Sequence, residues 1–204
     1  MHLAEGVLTL PVLGGGALLA AAGVAVGLRR LPDERIPLAG LLCAMFFVAS
    51  LIHLPVGAGS VHLVLNGLCG VLLGWAAVPV ILVALLMQSL FFGYGGLTTL
   101  GVNTVVMAAP ALACALLYRL GGEPAGVRAA AWRGALCGAL AIALGTALMA
   151  LALWLAGGRA FLPLIGTVIV AHLPVMAVEA AVTAAIVSSL ARSRPALLRA
   201  GLAG

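Results

Sequence analysis

Charged side chains are scarce in this chain, and their scarcity limits the possible fold more than any other feature. Only 7% of the 204 residues are Asp, Glu, Lys or Arg, whereas 65% are hydrophobic. A soluble domain carries about 25% charged residues, because its surface faces water. A surface this poor in charge can be covered only by lipid. The sequence therefore predicts an integral membrane protein and excludes the soluble and disordered classes.

The apolar runs predict one all-α transmembrane domain, residues 1–204, with seven helices. A bilayer core of about 30 Å needs roughly 20 apolar residues per helix. The predicted spans are approximately residues 8–28, 38–54, 62–75, 80–92, 98–118, 133–156 and 164–191, preceded by the segment 1–7. Pro79 is expected to separate the short third and fourth spans, since proline removes a helix donor.

The arginines predict the orientation of the bundle. The chain has no lysine, and nine of its ten arginines lie in the connections after the first, fifth and seventh spans. The positive-inside rule makes these connections cytoplasmic, so the amino terminus is expected outside a bacterial plasma (inner) membrane and the carboxyl terminus inside. No basic residue precedes the first span, so we expect it to be retained rather than cleaved. Basic loops of this kind indicate topology, and no nucleic-acid partner is expected.

The histidines gather on one side of the predicted bundle. All four fall in the outer half, namely His2, His53, His62 and His172. A lone histidine is usually structural, but ionisable residues within a membrane are functional candidates. Glu179 lies seven residues after His172 on the same helical face, where the two could form a buried polar contact that fixes the seventh span. The pattern favours metal or proton chemistry.

The first two residues form a possible chelating group. Met1 and His2 offer a free amine, a backbone amide and an imidazole in sequence. These three nitrogens can surround a late first-row divalent ion in one plane, and His62 is the obvious fourth donor. Square-planar nitrogen coordination is typical of Ni(II) or Cu(II). The alternative is that a Met-His start arose by chance.

Two other functions fit some of the same residues. An intramembrane hydrolase would use Ser60 as nucleophile with His62 or His172 as base, but no acid is placed to orient that base. A passive metal or proton channel would use His172 and Glu179. ATP hydrolysis by this chain is excluded, because a P-loop needs its lysine. No enzyme activity and no bound cofactor are expected.

Four ordered motifs resemble the CbiM/NikM family, the substrate-binding (S) components of energy-coupling factor transporters for nickel and cobalt. The motifs cover Met1–Gly6, Pro55–Gly67, Phe92–Thr104 and His172–Ala184, so the resemblance extends over nearly the whole chain. It implies a seven-helix bundle whose amino terminus enters the centre from outside. It also implies a transmembrane coupling protein (T component), two cytoplasmic ATPase subunits and often a small accessory membrane subunit as partners.

The resemblance implies the same ion site: the Met1 amine, the His2 amide and imidazole, and His62. The cobalt branch tends to carry Cys-Ser-His-Pro-Thr-Gly in this loop, whereas Ser60–Gly67 reads Ser-Val-His-Leu-Val-Leu-Asn-Gly and is similar to the nickel branch. Ni(II) is therefore expected as the transported ion, with Co(II) as the alternative. Affinity is expected to fall below about pH 6 as His2 and His62 protonate.

Three further residues are candidates for supporting the ligands. Asn66 follows His62 by four residues and would orient its ring if the third helix already began there. Asn103 lies in the Gly-Val-Asn stretch of the third motif and would bind the amino-terminal segment. His53 is expected to hydrogen-bond nearby. Capping of a loop or helix end is the alternative role for all three.

Overall fold

The protein folds as a bundle of helices with one short β-hairpin at one end. This computed structural model describes residues 2–56, 59–120 and 122–203. The helices are α1 (Leu10–Arg29), α2 (Ile36–Ala49), α3 (Asn66–Leu73), α4 (Ala77–Phe92), α5 (Leu100–Leu120), α6 (Val127–Gly157), α7 (Leu162–Ser193) and α8 (Pro195–Ala203). The hairpin consists of β1 (His53–Val56) and β2 (Gly59–His62), paired antiparallel. The predicted helical class is thus confirmed, with the hairpin as an addition.

Long apolar helices account for the hydrophobic composition. In the described part of the chain, four helical segments are long and apolar enough to cross a membrane: Leu10–Arg29, Asn66–Phe92, Leu100–Leu120 and Val127–Ser193. The second of these contains α3 and α4, and the fourth contains α6 and α7. Seven crossings and their orientation stay predictions.

The largest departures from the predicted helices surround the hairpin. The predicted spans 38–54 and 62–75 are wrong at their facing ends, because α2 ends at Ala49 and α3 begins only at Asn66. Leu65 has φ 59° and lies in the left-handed region, which a right-handed helix cannot include. The chain between the two helices is therefore extended, and His62 ends a strand instead of starting a helix.

A glycine, not Pro79, separates α3 from α4. Gly74 has φ 58° and begins a short 3-10 turn that ends at Ala76. Pro79 lies in the first turn of α4, where backbone N–H groups have no partner within the helix, so its missing donor costs nothing. The predicted break is present, but its cause was assigned to the wrong residue.

Helix α3 is the buried centre of the bundle. All eight of its residues are buried, which is unusual for so short a helix. Its two glycines allow this packing: a Cβ atom on Gly67 would lie 2.9 Å from the carbonyl oxygen of Cys137 on α6, and one on Gly70 would overlap the carbonyl of Ala111 on α5. Helices α5 and α6 thus approach α3 at backbone contact, and α3 holds the chain that precedes it in the middle of the molecule.

Candidate metal centre

Two histidines that are sixty residues apart in the sequence meet at the hairpin end of the bundle. Nδ1 of His2 lies 3.1 Å from Nε2 of His62, and the ring centroids are 4.9 Å apart. His2 belongs to the segment that precedes α1, and His62 is the last residue of β2. The structure therefore brings together the two imidazoles that the sequence analysis selected.

A hydrogen bond on the far side of the His62 ring, away from His2, determines which ring nitrogen carries the proton. Nδ1 of His62 lies 2.8 Å from the carbonyl oxygen of Leu63. A carbonyl oxygen can only accept a hydrogen bond, so Nδ1 carries the proton in this contact. The neutral ring then presents an unprotonated Nε2, and this is the atom that faces His2.

The far side of the His2 ring is held in the same way by Gln88 of α4. Nε2 of His2 lies 2.8 Å from Oε1 of Gln88. The amide nitrogen of Gln88 donates to the carbonyl oxygen of Phe46 at 3.4 Å, which directs Oε1 toward the imidazole. Nε2 of His2 is therefore the donor, and Nδ1 of the neutral ring is left unprotonated.

As a result, two nitrogen lone pairs face each other in a partly buried space. A hydrogen bond between Nδ1 of His2 and Nε2 of His62 would need a proton that both far-side contacts assign elsewhere. A cation bound by both nitrogens resolves the conflict. With metal–nitrogen bonds of about 2.0 Å, neighbouring donors of a planar ion lie about 2.8 Å apart, close to the spacing seen here. Nδ1 is also the nitrogen that closes a six-membered chelate ring with the His2 backbone amide.

The segment that carries His2 is fastened through its backbone. Asn103 of α5 accepts from the Leu3 N–H at 2.9 Å and donates to the Leu3 carbonyl at 3.1 Å. Two residues further on, Oε1 of Glu5 accepts from the backbone N–H of Thr98 at 3.1 Å and lies 3.3 Å from its hydroxyl. These contacts leave His2 little freedom to move away from His62.

A glycine-rich connection between α4 and α5 covers the other side of His2. Gly95 has φ 76°, and a Cβ atom there would lie 2.7 Å from the Asn103 amide nitrogen and 3.6 Å from the His2 ring. The Tyr94 ring lies 5.7 Å from the His2 ring, centroid to centroid. Only a residue without a side chain leaves room here for both the Asn103 amide and the imidazole.

Burial changes the acid–base behaviour of His2. The pKa of its imidazole falls from the ordinary 6.5 to about 3, chiefly because burial disfavours the charged form. The positive charge of the amino terminus also lowers the pKa, whereas the Gln88 hydrogen bond raises it. The expectation that this imidazole protonates near pH 6 is therefore wrong for His2 while it lies in its buried position against His62 and Gln88.

The other predicted residues lie around this pair in different ways. Met1 lies outside the described residues, and the hairpin register sets the His53 backbone opposite His62. Asn66 does not orient His62: its amide donates to the Met107 carbonyl at 2.9 Å and its oxygen accepts from the Gly67 N–H. Helical spacing does not relate His62 to Asn66, because the left-handed Leu65 lies between them and the helix begins only at Asn66.

The expected contact between His172 and Glu179 is replaced by two separate ones. Nδ1 of His172 donates to the carbonyl of Val168 within α7. Glu179 instead accepts backbone N–H bonds from Val64 and Leu65. Among the described residues, no three His, Cys, Asp or Glu side chains form a group that could hold a metal. An ion at His2 and His62 would therefore need further donors of another kind.

Sequence reasoning missed Gln88 and the contact made by Glu179. Each is an isolated polar residue in an apolar run, Gln88 in α4 and Glu179 in α7, and both are almost fully buried. Their isolation was visible in the sequence, since a buried polar side chain needs a partner. Which partner it finds depends on the hairpin and on Leu65, and neither has a clear local signal.

The helical bundle, its apolar spans and the paired imidazoles define a membrane protein with a candidate metal site, and sequence comparison identifies the family. The model of a family described as "CbiM: Cobalt uptake substrate-specific transmembrane region" matches residues 2–197. This chain belongs to that family. The family consists of metal-transport components and not of enzymes, so the chain is a membrane component of metal uptake of the nickel and cobalt type.

Individual relatives agree with the family. A Haemophilus influenzae protein, named provisionally for metal transport, is 44% identical over 199 residues, 97% of each chain. The cobalt transport protein CbiM of Geobacter sulfurreducens is 35% identical over 97% of this chain and 61% of its own length. The fused nickel transport protein NikMN of Rhodobacter capsulatus is 42% identical over 48% of this chain and 29% of its own. This chain therefore spans less than two thirds of the latter two proteins.

Solved structures share the fold. Two crystal structures described as transition metal transporters superpose with TM-scores of 0.71 and 0.72 over 93% of this chain. The match covers 96% and 92% of those chains, at 22% and 23% sequence identity. At this identity the likeness shows a shared fold. It does not identify which residues bind the ion.

Proposed function

We propose that this chain is the substrate-specificity subunit of an ATP-driven energy-coupling factor importer, and that it binds Ni(II) from outside the cell. The proposed ligands are the Met1 amine, the His2 backbone amide, Nδ1 of His2 and Nε2 of His62. The observation that supports this set is the 3.1 Å approach of Nδ1 of His2 to Nε2 of His62, with the far nitrogen of each ring held by an oxygen acceptor. Two neutral imidazoles that cannot hydrogen-bond each other are well suited to a divalent cation.

Nickel is preferred over cobalt because of the geometry that the donors impose. An amine, an amide and an imidazole in sequence form fused chelate rings that lie in one plane, and four nitrogens in a plane favour Ni(II). The Ser60–Gly67 loop, similar to the nickel branch, favours the same ion. Co(II) uptake by the same site is the second candidate, since the relatives include proteins named for cobalt.

The proposed partners follow from what this chain lacks. It has no lysine and hence no P-loop, so the energy for transport would come from two cytoplasmic ATPases joined through a transmembrane coupling protein. A small accessory membrane subunit is the fourth proposed component. In this scheme the site opens to the outside, closes over the ion through the amino-terminal segment and the His62 loop, and releases the ion inside.

Titration of the purified protein with Ni(II) and Co(II) tests the proposal. We expect tight Ni(II) binding with the d–d absorption of a planar complex, loss of that binding in His2→Ala and after an amino-terminal tag blocks the amine, and weaker but measurable binding through the three remaining nitrogens in His62→Ala. His172→Ala is the matched control, because this buried histidine bonds within its own helix. Full-affinity Ni(II) binding by the tagged protein or by His2→Ala would refute the proposed ligand set.

A further inference from the structure

Glu179 is a buried carboxylate in the middle of α7, and it accepts hydrogen bonds from the loop that follows His62. The residue is 1% exposed. Its Oε1 accepts from the backbone N–H groups of Val64 and Leu65, the latter at 2.9 Å, and Oε2 lies 3.2 Å from the Leu65 N–H. The contact joins α7 to a segment more than one hundred residues earlier in the chain.

One of these N–H groups belongs to the peptide that fixes His62. The Val64 N–H and the Leu63 carbonyl are the two ends of a single peptide unit, and the described chain contains no cis peptide bond. In a planar trans peptide these two groups point in opposite directions. The N–H points to Glu179, and the carbonyl accepts the proton-bearing Nδ1 of His62 at 2.8 Å.

A continuous series of hydrogen bonds therefore runs from the carboxylate to the imidazole. A carboxylate that accepts from a peptide N–H polarises the peptide and strengthens its carbonyl as an acceptor. The stronger carbonyl holds the His62 ring in one tautomer and increases the electron density at Nε2. Metal-binding histidines are commonly oriented by a carboxylate or carbonyl on the far nitrogen. Here a peptide stands between the carboxylate and the ring.

The carboxylate also stabilises the unusual backbone of the loop. Leu65 lies in the left-handed region, which costs a non-glycine residue about 1 kcal/mol or more. Leu65 is also the residue that precedes the first turn of α3, where the helix dipole favours a negative charge. Glu179 accepts the N–H groups at this helix end, so the same side chain holds both the loop and the peptide.

We propose that Glu179 is a positioning residue for the metal site, acting on His62 through the Leu63–Val64 peptide. This inference rests on the proposed role of His62 as a ligand. Occupancy of the ion site is thereby linked to α7, a helix whose other end lies among the arginines predicted to be cytoplasmic.

A double-mutant comparison tests the inference on the full-length protein. Glu179→Ala should weaken Ni(II) binding by about 10- to 100-fold, as for other residues that orient a ligand. Glu179→Gln, which keeps one acceptor oxygen, should weaken it less. If Glu179 acts through His62, Glu179→Ala should cost nothing further in a His62→Ala background, whereas a general loss of stability would cost the same in both. Thr183→Ala is the matched control, one turn along α7 and equally buried.

Two readouts separate positioning from folding. With His62 misplaced, water should replace its nitrogen, so the d–d band of bound Ni(II) in Glu179→Ala should shift to longer wavelength and match that of His62→Ala. The Val64 amide should also exchange its hydrogen faster in Glu179→Gln than in the unmodified protein. Unchanged affinity in both Glu179 variants, or equal costs with and without His62, would overturn the inference. Failure of the unmodified protein to bind Ni(II) would refute the proposed function, and the inference with it.

Discussion

At the scale of single residues, the two facing imidazoles are each controlled by a neutral acceptor on the far side. Leu63 provides a carbonyl for His62, and Gln88 provides an amide oxygen for His2. Neither acceptor carries a charge, so these two far-side contacts leave both rings neutral toward an incoming cation. Loss of the His2 amide proton would offset one of the two positive charges of the ion.

Gln88 should matter for binding although it touches only one ligand. In Gln88→Leu, Nε2 of His2 loses its acceptor, so the ring is free to place its proton on Nδ1, where the ion should bind. We expect about a 10- to 100-fold loss of Ni(II) affinity by calorimetry. Ser89→Ala, at the next position of α4, is the control and should bind normally. Normal binding by Gln88→Leu would show that Gln88 does not set the tautomer.

Acid should loosen the amino-terminal segment in the metal-free protein. The pKa of His2 is 6.5 when exposed and about 3 when buried, so the buried position binds no proton where the released segment does. The neutral imidazole therefore stabilises the docked segment fully above pH 6.5, and this stabilisation decreases as pH falls from 6.5 toward 3. At pH 5 the loss is about 2 kcal/mol. Hydrogen exchange of the Leu3 amide, which Asn103 holds, should accelerate accordingly.

A variant without the imidazole provides the comparison. His2→Ala has no group that titrates in this range at residue 2, so the pH dependence of Leu3 exchange, corrected for the intrinsic rate, should disappear. Persistence of the same dependence in His2→Ala would assign the effect to another group.

The sequence predicted the residues with distinctive chemistry and missed those whose role depends on the loop backbone. His2 and His62 were selected because imidazoles are rare in an apolar chain, and the structure brings them together. Asn66 was assigned to His62 by helical spacing, which the left-handed Leu65 makes invalid. The partners of Gln88 and Glu179 follow from long-range packing, and a single sequence contains no signal for contacts of that kind.

At the scale of elements, α3 is short and wholly enclosed, and its glycines explain how this is possible. A Cβ atom on Gly70 would overlap backbone atoms of Ala111, which cannot rotate away as a side chain could. The position of α3 sets the position of the loop before it, because Leu65 and Asn66 join them directly. Packing between helices therefore determines how closely His62 approaches His2.

Gly70→Ala should destabilise the protein because α5 must move away from α3. We expect a cost of about 1–3 kcal/mol, measured as a lower midpoint of thermal unfolding in detergent, together with weaker Ni(II) binding. Gly40→Ala in α2 is the matched control, since a Cβ atom there meets nothing within 4 Å. The better helix propensity of alanine should leave that variant unchanged or slightly more stable. Equal behaviour of the two variants would contradict the close packing of α3.

At the scale of the whole molecule, the candidate metal site and nine of the ten arginines lie at opposite ends of the bundle. His2, the hairpin and the α4–α5 connection form one end. At the other end, Arg30 lies 5.6 Å from the Trp75 ring, and Arg199 pairs with Glu123 at 2.7 Å. This separation supports the proposed orientation, in which these nine arginines face the cytoplasm and the proposed ligands meet the outside medium.

Cysteine labelling of intact cells tests that orientation. In a Cys43→Ala background, a membrane-impermeant maleimide should label Thr9→Cys directly, and should label Ser193→Cys only after the cells are permeabilised. Both positions are exposed, and the other three native cysteines are buried. The reverse labelling pattern would require the opposite topology and would place the proposed chelate in the cytoplasm.

The paired contacts of Asn103 with the two backbone groups of Leu3 have a consequence for how this segment tolerates change. The Asn103 amide hydrogen-bonds the main chain of residue 3, as a neighbouring β-strand would. This contact does not depend on which side chain residue 3 carries. Recognition of this kind fixes how many residues lie between the clamp and the imidazole. Inserting a single residue between His2 and Leu3 would turn the imidazole toward the opposite side, since successive side chains of an extended chain alternate. These backbone contacts therefore restrict the length of the segment, in addition to the restrictions that its side chains impose.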